Sequence, residues 1–173
     1  SGPVDLAVSR TRYKDTDFFR HVIFLNKRYF LVYDSLYSSA DRKFTFLLHG
    51  NGGGTSGGSF SLSDNGGIWE QENAKLKAFT ITAYSDTEFS AIEINHADYG
   101  REMKTHTVFK AETYGNESKY LTVLFPAETD NAFPAFEEIS AVNGKGIMIQ
   151  TGDTAEYCFI RSFGNGNVIE YES

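Results

Sequence analysis

Short runs that alternate apolar and polar residues recur along this chain, and Asn-Gly dipeptides fall among them at Asn51-Gly52, Asn65-Gly66, Asn143-Gly144 and Asn165-Gly166. Alternation with a period of two sends successive side chains to opposite faces of a pleated strand. Asn-Gly tolerates the positive φ that a two-residue hairpin turn demands. The runs lie at residues 22–26, 29–33, 43–48, 76–82, 89–94, 105–111, 120–125, 146–150, 156–161 and 168–171. The first two, separated by Lys27-Arg28, read as a hairpin. Only 69–74 and 130–139 look helical, and neither is long enough to form a layer. Phe and Tyr contribute 15 and 10 residues and Pro only 3, a balance that suits pleated, half-buried surfaces. The expectation is one all-β domain over residues 1–173, an antiparallel two-sheet β-sandwich of about ten to twelve strands.

With 173 residues the chain can bury a core of its own. The net charge of −7 argues against nucleic-acid and anionic-membrane partners, which need a concentrated positive field. It leaves room for an acidic polysaccharide held by a local basic patch. The lone cysteine, Cys158, sits in the apolar run Tyr157-Cys158-Phe159-Ile160 and reads as an inert, packed thiol. No run reaches the length of an apolar membrane span. The opening Ser1-Gly2-Pro3 reads as a processing boundary.

Segment 50–67 breaks the regular pattern, with 8 glycines in 18 residues. It lacks the spacing of a phosphate loop and has no helix after it. It is therefore a surface connection or a place where backbone approaches a ligand. No GxSxG motif is present, and Cys158 has no evident catalytic partner. Asn116-Glu117-Ser118 fits a glycosylation acceptor. His21, His49, His96 and His106 include no close pair of the HxxxH kind. Neighbouring strands could still assemble a metal set from His49, Asp64, His96 and His106. Hydrogen-bonded or surface histidines are the plainer reading. Trp69, Tyr84, Tyr99 and Tyr114 stand among turn and charged residues and are candidates to stack on sugar rings. Asn51, Arg101 and Lys104 would supply the polar contacts.

The run from Arg20-His21 through Val22-Ile23-Phe24-Leu25, a short turn, and Tyr29-Phe30-Leu31-Val32-Tyr33-Asp34-Ser35-Leu36 resembles the first hairpin of the C-terminal β-sandwich in heparinase II/III-like polysaccharide lyases. Phe44-Thr45-Phe46-Leu47-Leu48-His49 is similar to the family strand that ends in histidine. Ala74-Lys75-Leu76 and Tyr120-Leu121-Thr122-Val123-Leu124-Phe125-Pro126 resemble later strands in the same order. The likeness spans residues 10–130. It implies a sandwich that follows an α/α toroid and helps to cleave uronate-containing chains by β-elimination, with His49 lent to the cleft. No cofactor is required on this reading, although the resemblance implies a structural zinc in some members, and His49, Asp64, His96 and His106 are the candidates here to hold a zinc or calcium ion. The toroid has no counterpart in these residues, so the domain is not expected to turn over substrate alone. A glycan partner further implies secretion or a periplasmic location. Two other readings stay open: a free-standing carbohydrate-binding module and a non-catalytic interaction domain.

Overall fold

The structure is a computed structural model that describes residues 4–83, 86–97, 103–141 and 144–161. Eleven strands are described: β1 (Val4–Tyr13), β2 (Thr16–Leu25), β3 (Tyr29–His49), β4 (Ser59–Ser63), β5 (Gly66–Glu70), β6 (Ala74–Thr82), β7 (Glu88–Ala97), β8 (Met103–Glu128), β9 (Ala135–Ala141), β10 (Gly144–Thr151) and β11 (Thr154–Arg161). All pairing is antiparallel. One sheet has the order β1-β2-β3-β8-β6-β5-β4 with β7 added on β8, and a second has the order β11-β10-β9. The all-β sandwich expected from alternation is therefore present. The helical readings are corrected: 69–74 ends β5 and starts β6, and 130–139 leads into β9. The run 168–171 and the dipeptide Asn165-Gly166 lie outside the described residues, as does Asn143.

Length is the second correction. The separate strands expected at 29–33 and 43–48 are one strand of 21 residues, and those at 105–111 and 120–125 are one of 26. β3 and β8 pair with each other twice, from Phe30 opposite Leu124 to Tyr37 opposite Glu117, and from Arg42 opposite Gly115 to His49 opposite Val108. The register breaks between the two stretches. The neighbours change across the break too. β2 and β6 flank the first stretch, while β7 lies beside the β8 half of the second. A bulge of this kind bends and twists a sheet, and here it separates two arms.

Each face of the central strands has its own core. Tyr29, Leu31, Ile81, Leu121, Val123 and Phe125 pack with Ile147 and Ile149 of the smaller sheet. Alternation sends Leu36, Ala78 and Tyr120 to the opposite face, where Phe44, Phe46, Phe109 and Ala111 of the second arm cover them. Tyr120 ties the arms together. Its hydroxyl donates to the Phe44 carbonyl (3.1 Å) and stands 2.9 Å from Thr113 Oγ1. Burial leaves such a hydroxyl dependent on these partners.

Turn chemistry departs from the expectation at the Asn-Gly dipeptides: Gly144 already pairs with Ala141 in the β9–β10 ladder, and Asn51-Gly52 lies in the long connection between β3 and β4. Ser63 pairs with Gly66, so the β4–β5 turn is Asp64-Asn65 and Gly66 already belongs to the strand. Gly66 is needed because a Cβ there would sit 2.0 Å from the Ala78 carbonyl oxygen. Left-handed backbone appears instead at Lys14, Asn26 and Lys27, in the β1–β2 and β2–β3 turns.

Candidate functional site

β3 ends at His49, and the register places that residue opposite Val108 on β8. Residues two apart on a strand share a face, so His106 lies on the same side as Val108. The pairing has a direct consequence. His49 Nδ1 and His106 Nε2 stand 3.2 Å apart, with ring centroids at 5.4 Å. His49 is exposed, while His106 is 9% exposed. An accessible imidazole is thus backed by a buried one.

The Gly-rich segment that follows His49 holds this arrangement in place. Thr107 N donates to the Gly52 carbonyl (3.0 Å), and Thr55 N and Ser56 N both donate to the Thr105 carbonyl (3.1 and 3.0 Å). Thr105 N donates in turn to Thr55 Oγ1 (2.8 Å), and Ser56 Oγ donates to Thr105 O (2.7 Å). Both neighbours of His106 are clasped. The glycines are explained by closeness to protein: a Cβ on Gly53, whose φ is +76°, would lie 2.2 Å from Thr107 Oγ1, and one on Gly50 would lie 2.2 Å from Trp69 Nε1.

The other sequence candidates fall in different places. Trp69 is 3% exposed, its ring packs on Phe60, and its Nε1–H donates to the Thr107 carbonyl at 3.0 Å. The expectation of a sugar platform at Trp69 is corrected, because a buried indole offers no free face. Asn51 is exposed beside His49, and its carbonyl accepts from Gln71 Nε2. Asp64 occupies the β4–β5 turn, at the end of that hairpin away from Ser59, where the clasping segment enters. Lys104 is half-buried on β8 and pairs in register with His96. Tyr84, Tyr99 and Arg101 lie outside the described residues. Tyr114 is 66% exposed on the second arm.

The structure describes only part of the expected metal set, because the side chain of His96 lies outside the described residues. Two imidazole nitrogens face each other, but Asp64 is not brought to them. Among the described residues no group of three or more His, Cys, Asp or Glu is placed to hold an ion. A structural zinc needs four ligands and calcium prefers oxygen. Among the described residues the two histidines alone do not complete either donor set, and no chemistry is routed through an ion.

Sequence reasoning missed a groove of about 280 Å³, where the β1–β2 turn overhangs the bend in β3. Its lining includes Tyr13, Lys14, Phe18, Leu36, Arg42 and Lys43. The residues come from distant stretches, so no local motif announces it. Arg42 pairs with Asp15, and Lys43 with Glu112 at 2.7 Å. Lys110 also reaches Glu112, at 2.6 Å. The hydrogen bond from Lys110, then that from Lys43, lowers the Glu112 carboxyl from 4.5 to about 2. A depressed carboxyl contributes stability that is present above its unfolded value and lost as pH falls through its folded one. Thermal midpoints should therefore fall between pH 4.5 and about 2. Glu112→Gln should flatten that part of the profile, and an unchanged acid limb would show that the triad contributes nothing. At the other side of the molecule, Cys158 lines a cavity of about 320 Å³ with His21 and Tyr33. Burial pushes its thiol up, away from the reactive thiolate.

The fold, an eight-stranded antiparallel sheet packed on a three-stranded one, matches a β-sandwich domain in solved structures of heparinase III. A heparinase III crystal structure superposes with a TM-score of 0.69 at 16% identity, over 94% of this chain and 26% of the other. The heparan sulfate lyase HepC from Pedobacter heparinus superposes with a TM-score of 0.73 at 15% identity, over 95% of this chain and 27% of that one. The chain thus matches a domain of heparinase III in fold and spans about a quarter of the matched chains. No family model matches the sequence, and no curated protein does either.

Proposed function

We propose that this chain is the sandwich domain of a larger polysaccharide lyase that cleaves uronate-containing glycans. The observation that carries the reading is the superposition over 94% of the chain on part of heparinase III, at a fold that presents an exposed histidine. In β-elimination a base removes the proton α to the uronate carboxylate, donors neutralise that carboxylate, and an acid protonates the leaving oxygen. His49 would serve one of these proton-handling steps, with Asn51 beside it as a polar contact. The remaining groups would come from an α/α toroid. A protein acting on such glycans would work in the periplasm or outside the cell.

The test is a chimera in which this chain replaces the matching domain of a heparinase III, assayed by ultraviolet absorbance of the unsaturated product. The chain alone should give no turnover and the chimera should be active. His49→Ala should then lower the chimera's rate by about 10²–10⁴-fold, the usual contribution of a general acid or base. Full activity in that variant would remove His49 from the mechanism. Salt-sensitive retention of the isolated chain by one acidic glycan, with no gain in the chimera, would mark an autonomous binding module instead.

A further inference from the structure

We infer that His106 is a positioning residue that fixes the tautomer and ring orientation of His49, leaving His49 Nε2 as the nitrogen offered to a ligand. The inference deepens the lyase reading and rests on it for its catalytic meaning, but its geometry stands apart. His49 ends a strand and is exposed, so an unsupported ring there would turn freely and exchange its proton between both nitrogens. The 3.2 Å approach of its Nδ1 to His106 Nε2 is a hydrogen-bond distance, so one nitrogen donates and the other accepts. A hydrogen bond at one ring nitrogen decides which nitrogen carries the proton.

His106 can do this because it is itself held. It is buried on β8 between Thr105 and Thr107, and the segment directly after His49 binds the backbone of both. One chain excursion thus links the two residues: it leaves from His49 and holds the backbone on both sides of His106. His49 Nε2 is then defined as either acceptor or donor and keeps that role. A proton-handling group needs this, since a ring divided between tautomers presents the wrong atom part of the time. The bias from one such hydrogen bond is roughly tenfold.

Ring-nitrogen NMR of the isotope-labelled full chain, at a pH where both rings are neutral, tests the inference without any activity assay. The expected result is a single tautomer for His49 in the parent chain and an exchanging mixture in His106→Phe. His106→Gln, whose amide can donate or accept at the same place, should restore a single tautomer and also guards against a misfolded phenylalanine variant. A mixture already present in the parent chain, or a single tautomer retained in His106→Phe, would overturn the proposal. Neither result depends on whether the chimera cleaves glycan, so the two ideas can fail separately.

Discussion

Trp69→Ala should destabilise the chain by about 3–5 kcal/mol, the range for truncating a large buried aromatic. Three losses combine in that figure. The indole is 3% exposed and packs against Phe60 at 4.9 Å between centroids, so its removal opens a cavity. Its Nε1–H also satisfies the Thr107 carbonyl, which would be left without that donor. Finally, Gly50 and Gly52 lie against the ring, so the segment after His49 loses the surface on which it rests. Urea unfolding gives the stability, and since Trp69 is the only tryptophan, circular dichroism should follow the variant. Trp69→Phe should retain most of the stability but lose the Thr107 hydrogen bond. A midpoint unaffected by Trp69→Ala would mean that the indole is not buried, and would reopen Trp69 as a sugar platform.

That prediction also marks where the sequence was readable. The strands at 76–82, 146–150 and 156–161 were visible because alternation survives in them and turn residues bound them. The unity of β3 and of β8 was not. Their bends carry charged and small residues, Ser39-Ala40-Asp41-Arg42 on one strand and Gly115-Asn116-Glu117 on the other, and locally these look like loops. β1 was missed because all ten of its residues are exposed, so burial left little imprint on its pattern. Trp69 was misjudged for a related reason. Its polar neighbours suggested solvent, while the glycines that bury it are about 20 positions earlier in the chain. For the candidate site, His49 was identifiable as the end of a strand. Its grouping with His106 was visible only as part of a four-residue set with Asp64 and His96, because the direct pairing depends on a register between residues 57 positions apart. Asp64 lies nearer to His49 in sequence yet at the far end of a hairpin in space.

Arg20→Ala should cost roughly 2–3 kcal/mol, the next largest effect, and its cause lies in the stretch that made the family resemblance visible. Arg20 and Asp34 face each other across β2 and β3, with Nε–Oδ1 and Nη2–Oδ2 distances of 2.7 and 2.6 Å. This two-point grip is geometrically the strongest form of such a pair. Asp34 is 2% exposed, so removing the guanidinium strands a carboxylate away from water. The Arg20 side chain is 46% exposed, which keeps the cost below that of breaking a fully buried pair. Arg20→Lys should recover only part of it, because an ammonium cannot match both oxygens. The decisive measurement is the double variant Arg20→Met with Asp34→Leu. If the ion pair serves packing, the double variant should be nearly as stable as the parent, since apolar residues of similar volume can replace a buried pair. In the chimera it should also keep its activity. Loss of activity in a stable double variant would instead assign Arg20, on the exposed rim beside Phe18 and Leu47, to glycan binding.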